Sequence, residues 1–360
     1  MLLATSLVLV LASGCGGEEE KDVRSAAGAF ASAAETGNGT SYCNTLTPDT
    51  SKLLDTVARG LGEDMRCADL MKERLSKGLS GGLNQEALAA IEDAEIEIKG
   101  DRATIKDSKD TIPMRRVDGD WRVDLASWSK VGPSLHGSAA CTQGRLDLIA
   151  APLPPATRDG VAEDADANAA RLRELREAVA QTTPSESQRK AVAAFDKILR
   201  DNITTWERTA KRLRGVGAPF ETYNRGLTES NKRAERSAKD VEDLEIACAG
   251  DAQSFRDAAG YRRDADRAGA AAAKRFANMK RLEGPDAYRE IVDDLTGKLR
   301  KIDPPKTFAK LHRSSVGALA KTAEVLPTSD RGRALERFEL AVLRAAIGFN
   351  RMAIVNCAEL

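Results

Sequence analysis

Hydrophobic positions change period twice along the chain. Val23, Ala27, Phe30 and Ala34 recur at steps near 3.6 residues and predict a helix from Asp22 to Glu35 with one apolar face. The same spacing predicts helices over Asp49–Arg59, through Leu53, Leu54 and Val57, and over Asp64–Leu75, through Met65, Leu70 and Met71. The period then falls to two. Ala94, Ile96 and Ile98 alternate with Glu95, Glu97 and Lys99, Gly100-Asp101 offers a turn, and Ala103-Thr104-Ile105 follows. Ile112–Val117, an Asp118-Gly119 turn and Trp121–Leu125 complete a meander of about four strands. Its inward set is Ile96, Ile98, Ile105, Met114, Trp121 and Val123, all apolar. Pro113 has no amide hydrogen to give a ladder, which places its strand at an edge or at a bulge.

Residues 129–138 are rich in Gly, Pro and Ser and read as a linker. From residue 139 onward no strand pattern occurs. The clearest helix, about Glu186–Arg214, carries Val192, Phe195, Leu199, Ile203, Trp206, Ala210 and Leu213 at steps of three and four, a seam suited to bundle packing. Further helices are predicted over about Pro219–Ile246, Ala252–Leu282, Pro285–Ile302, Pro305–Val325 and Arg331–Asn356, with prolines at or near several starts. The last has a stripe of Leu335, Phe338, Val342, Ala346, Phe349 and Met352, widened by Leu343 and Ile347; Arg337, Glu339, Arg344 and Arg351 exclude it as a membrane span. Leu213–Pro219 matches Leu299–Pro305, and Ile246-Ala247-Cys248-Ala249 matches Val355-Asn356-Cys357-Ala358, an approximate internal repeat of 139–250 and 251–360. The fold class is therefore an N-terminal α+β unit, helices then an antiparallel meander, over 22–128, followed by an all-α bundle over 139–360.

Composition supports a folded, mostly helical chain: 42% hydrophobic, 31% charged and only 4% aromatic. Formal charge is zero, with 55 basic and 55 acidic residues, which argues against nucleic acid as a partner. Residues 1–130 hold 16 basic and 22 acidic residues, net −6, leaving 39 and 33, net +6, for the rest.

Met1–Leu11 is apolar but about half the length needed to cross a hydrocarbon core of roughly 30 Å. Ala12-Ser13-Gly14-Cys15 follows, and this resembles the lipobox of bacterial lipoproteins, although Leu11 stands one place further from the cysteine than usual and no Lys or Arg precedes the run. The resemblance implies a signal peptide over 1–14 and a thioether-linked diacylglyceryl group on Cys15, with 15–21 a flexible tether. In an exported chain, Cys43, Cys67, Cys141, Cys248 and Cys357 are disulfide candidates rather than metal ligands. No C-x-x-C occurs and His136 and His312 are the only histidines, so zinc and iron–sulfur sites lack ligands. Five is odd, which leaves one thiol over.

Helices followed by a meander ending Asp118-Gly119-Asp120-Trp121-Arg122-Val123-Asp124 resemble the cone-shaped fold of the nuclear transport factor 2-like superfamily, over about a hundred residues. Within such a domain Cys43 and Cys67 fit an intradomain disulfide. The helical half resembles a short module of secreted actinobacterial proteins in which an early cysteine pairs with one at the module's end; Cys141 and Cys248 fit those places. In the second copy Gly269 stands where the early cysteine would be, which leaves Cys357 without its expected partner.

Gly78-Leu79-Ser80-Gly81-Gly82 matches the letters of a nucleophile elbow, but a helix precedes it where a buried strand is required. Asp164-Ala165-Asp166-Ala167-Asn168 opens like a calcium loop, yet Ala169 and Leu175 stand at its sixth and twelfth positions; acidic residues favoured in a first helical turn are the simpler account. The expectation is a non-enzymatic lipoprotein without cofactor or metal, held by Cys15 on the outer face of the cell membrane and binding or scaffolding at the envelope. Its partners are membrane lipid and an unknown envelope protein. The alternative is a carrier or sensor of a small hydrophobic ligand, in an apolar pocket of Ile96, Ile98, Met114, Trp121 and Val123; a cone-fold isomerase or dehydratase-like enzyme is a third reading.

Overall fold

In the computed structural model the described residues are 16–61, 64–76, 94–106, 111–244, 246, 260–275 apart from 262, 266 and 273, 285–305, 308–322 and 331–353. They fall into two units: Met1–Asp55 with Met65–Val131, and Thr56–Asp64 with Gly132–Leu360.

The first unit contains α1 (Gly16–Glu35), α2 (Gly39–Asn44), most of α3 (Pro48–Leu61), α4 (Cys67–Ser76) and the meander of β1 (Glu95–Lys99), β2 (Arg102–Lys106), β3 (Thr111–Val117) and β4 (Asp120–Val123). Strand order follows chain order, β1-β2-β3-β4, all antiparallel. The turns from β1 to β2 and from β3 to β4 are those the sequence announces. Gly100 has φ +65°, and Asp118 and Gly119 have φ +53° and +93°, the left-handed pair that a tight two-residue hairpin needs. Val23, Ala27 and Phe30 are buried as the periodicity requires, with the Phe30 ring 4.7 Å from that of Tyr42.

Helix α1 begins six residues before the expected Asp22, so the segment 15–21, expected to be a flexible tether, is helical from Gly16. Glu18 and Glu19 lie in its first turn, where the helix dipole favours them. Glu20 pairs with Arg24 one turn on, Arg24 also donates to the Ala94 carbonyl at 2.8 Å, and Glu19 meets Arg116 of β3.

Pro113 occupies an inner strand with no bulge: it pairs with Thr104 in an unbroken register and β4 lies on the other side. Its carbonyl accepts from the Asp124 amide at 2.9 Å, so its nitrogen faces the end of β4. The partner an amide there would use, the Asp124 carbonyl, is already taken by the Ser127 amide and hydroxyl. No ladder donor is missed.

The second unit contains α5 (Gly132–Ala150), α6 (Arg158–Ala180), α7 (Arg189–Arg214), α8 (Pro219–Ser237), α9 (Pro285–Arg300), α10 (Ala309–Thr322) and α11 (Arg331–Ala353). The stretch 129–138 is thus helix rather than linker from Gly132 onward. Pro133 stands in the first turn, where a missing donor is harmless. Gly137 lets a neighbour approach: a Cβ there would lie 2.7 Å from Ile246 Cδ1.

The seam of α7 packs as its spacing predicts: Phe195, Leu199, Ile203, Trp206, Ala210 and Leu213 are all buried. Against it lies the alanine face of α6, Val161, Ala162, Ala165 and Ala169, every one fully buried. On α11 the centre of the buried stripe is Leu343 and Ile347 rather than the Val342–Ala346 line. The loop after α7 is held by Arg158, which donates to the carbonyls of Leu213, Gly215 and Gly217 and pairs with Glu336, leaving Val216 fully exposed between them. Among the described residues no helix is long and apolar enough to cross a membrane.

Candidate functional site

Cys15, Cys248 and Cys357 lie outside the described residues, as does Gly78–Gly82. Cys43 of α2 and Cys67, the first residue of α4, form a disulfide with Cα atoms 6.1 Å apart. The Cys67 amide donates to Asp55 Oδ1 at 2.6 Å, so a carboxylate of α3 caps α4. Backbone contact is equally close: a Cβ on Gly39 would lie 2.6 Å from the Lys72 amide nitrogen. Cys141 of α5 is also disulfide-bonded, to a partner outside the described residues. Ile246 packs on Gly137, one turn before Cys141.

On the sheet, Ile98, Ala103, Met114 and Val123 stand in one cross-strand row, and Ile96, Ile105 and Ile112 in the next. Met114, Trp121 and Val123 are buried at 2%, 6% and 0% exposure, whereas Ile96 and Ile98 on the edge strand are half-buried. Arg116, opposite Trp121 on the same face, places its guanidinium 5.9 Å from the ring centre. The Trp121 Nε1 is buried without a hydrogen-bond partner among the described residues.

Asp124 is a buried carboxylate beside this sheet that sequence reasoning passed over. Its Oδ1 accepts from the hydroxyls of Thr47 at 3.2 Å and Thr50 at 3.4 Å. Thr47 in turn caps α3, Pro48 opens the helix, and Leu46 forms a parallel bridge with Val123. A capping threonine before a helix-opening proline was the available signal.

The helical unit has a second buried polar knot. Asp164 accepts from Arg351 at 2.6 Å through one oxygen and from the Tyr223 hydroxyl at 2.7 Å through the other, and burial, with Asp164 adding to it, pushes the Tyr223 hydroxyl well above its ordinary pKa. Arg351 also donates to the carbonyls of Ala151 and Pro152, both at 3.0 Å. The run Asp164–Asn168 is therefore not the first turn of a helix. Helix α6 starts at Arg158, and the three polar side chains are taken by Arg351 and Tyr223, by Arg214, and by Arg171 respectively.

The segment that Arg351 holds forms one wall of a cleft of about 580 Å³, with Ile149 and Leu153 as its apolar lining. The opposite wall is α10. Lys310, Ser314, Gly317 and Lys321 follow at steps of four, three and four along its exposed face, beside buried Leu311 and Ala318. Arg344 of α11 closes one side, and its Nε is buried with no hydrogen-bond partner among the described residues. Among the described residues no Asp or Glu lines the cleft. Behind Leu311, Tyr261 and His312 Nδ1 are hydrogen-bonded at 2.7 Å among Phe308 and Phe349; burial lowers the His312 pKa, opposed by a hydrogen bond to the Leu299 backbone.

No protein-family model, no curated protein and no solved structure matches this chain.

Proposed function

We propose that the chain is a non-enzymatic extracytoplasmic lipoprotein, anchored in the membrane through Cys15, that acts in binding or scaffolding at the cell envelope. The observation that carries this reading is the oxidised state of its cysteines: Cys43 is bonded to Cys67, and Cys141 is bonded as well. Disulfides of this kind persist in oxidising compartments, and the lipobox-like Ala12–Cys15 supplies the route there. The non-enzymatic part is supported by how the buried polar groups are used. Asp124 is held by Thr47 and Thr50, Asp164 by Arg351 and Tyr223, and His312 by Tyr261.

In this reading the first unit is a nuclear transport factor 2-like cone, and the second carries the approximate repeat of 139–250 and 251–360. The test is non-reducing peptide mass mapping of protein taken from its native membrane. Diacylglyceryl-modified Cys15 at the amino terminus, with Cys43 joined to Cys67, is the expected result; reduced and unmodified cysteines would overturn it. A turnover found in a broad hydrolase or isomerase screen, and lost on changing one side chain, would remove the non-enzymatic part.

A second reading, a carrier of a small hydrophobic ligand in the cone, is favoured by the Trp121 Nε1, buried without a hydrogen-bond partner among the described residues, on a sheet whose edge strand leaves Ile96 and Ile98 half-buried. It expects Trp121 fluorescence to respond to apolar ligands, and an unchanged spectrum would count against it.

A further inference from the structure

We infer that the cleft between α10 and the Ile149–Leu153 segment binds a single-chain amphiphile with an anionic head, a carboxylate or a phosphate. The cleft has two chemistries in one place. Its floor and inner wall are apolar, through Ile149, Leu153, Leu311 and Ala318, and its edge carries Lys310, Lys321 and Arg344. None of these three cations makes an ion pair among the described residues, and no Asp or Glu among them lines the cleft. The edge therefore presents uncompensated positive charge, which an anionic head would neutralise. The buried Arg344 Nε still has a hydrogen to give.

A free inorganic anion would leave the apolar lining uncovered, and a neutral hydrophobe would leave the cations unmatched. An alkyl chain with an anionic head satisfies both. The volume, about 580 Å³, lies in the range of small-molecule sites.

Gly317 adds an independent observation. It stands inside α10, where glycine is a poor helix former, and a Cβ there would meet no atom within 4 Å. Packing does not require a glycine at this place. The missing side chain keeps the cleft open between Lys310 and Lys321.

The wall opposite is positioned from a distance. Arg351 fixes the carbonyls of Ala151 and Pro152 while Asp164 fixes Arg351. Asp164 and Arg351 are positioning residues here, not ligand contacts.

The site does not depend on acylation of Cys15, so its failure and that of the envelope reading are separable. The test is calorimetric titration of the full chain carrying only Cys15→Ser, below the micelle concentration of each probe, with dodecanoate, dodecyl phosphate, dodecanol and inorganic phosphate. We expect dodecanoate or dodecyl phosphate to saturate at one per chain, and the stronger of the two identifies the head group. Dodecanol and inorganic phosphate should bind at least tenfold more weakly. The double variant Lys310→Glu/Lys321→Glu should weaken binding at least tenfold. Gly317→Phe should abolish it with the circular dichroism spectrum unchanged; Gly317→Leu, a smaller filler, serves the same purpose if the phenylalanine variant does not fold. Equal binding of dodecanol, equal binding of inorganic phosphate, indifference to the lysine reversals, or no binding at all would overturn the proposal.

Discussion

Asp164 and Arg351, side chains 1% and 6% exposed, show what one buried ion pair does in this protein. Removing either charge leaves the other buried alone, so Asp164→Ala is expected to destabilise the helical unit by about 3–5 kcal/mol. Tyr223→Phe removes only a hydroxyl from the same knot and should lose about 1 kcal/mol. Urea denaturation followed by circular dichroism separates the two. At His312 burial disfavours the charged ring, so the folded chain holds that proton less tightly than the unfolded chain does. Its share of stability is complete above the unperturbed value of about 6.5 and is lost as pH falls from there through the lower folded value. His312→Gln should flatten this acid limb of the stability profile, and an unchanged limb would show that other groups govern it. Neither knot could be read from spacing: Asp164 and Arg351 are 187 residues apart, and nothing in the local pattern ties an acidic run to an arginine on the last helix.

At the scale of elements, the junction of α2 with α4 is the most tightly specified. Gly39 sits where a Cβ would press on the backbone of α4, and backbone cannot swing aside as a flexible side chain can. Gly39→Ala should therefore destabilise the first unit by about 1–3 kcal/mol, measured by the thermal midpoint. Replacing Cys43 and Cys67 by serine opens a loop with a sequence separation of 24 and should lose about 3–4 kcal/mol in the chain-entropy model.

The strands were legible because alternation and turn chemistry agree: Ile96 and Ile98 against Glu97, Gly100 and Asp118-Gly119 at the reversals. Pro113 misled, since its exclusion from inner strands assumes that a neighbour awaits its amide, and here β4 has already ended. The bounds of α5 and α6 are not legible for another reason. Helix α5 buries Leu135, Ser138, Cys141, Thr142, Arg145 and Leu148, which leaves no single apolar stripe, and α6 packs with alanines that periodicity barely registers.

For the molecule as a whole, the second unit takes Thr56–Asp64 together with Gly132–Leu360, and it holds a cleft that no stretch of the sequence announces. Its lining comes from residues 149–153, 310–321 and 344, and only folding brings them together. The cysteines carry the widest prediction. Ile246, packed on Gly137 one turn before Cys141, sets Cys248 two residues further along the chain. Non-reducing peptide maps should find Cys141 joined to Cys248, with Cys357 outside that bond. A link from Cys141 to Cys357 would overturn that pairing and the module resemblance with it.

Helix α1 has a mechanical consequence. A flexible leash of six residues would let a lipidated chain roam up to about 20 Å from its anchor and turn any face outward. With helix starting at Gly16, those residues advance only about 9 Å, along a rod whose Glu19 and Arg24 are already tied to the sheet and to Ala94. Under the proposed anchoring the first unit has almost no slack: it rides close to the bilayer in a narrow range of attitudes, more like a boat moored short than one swinging on a long line.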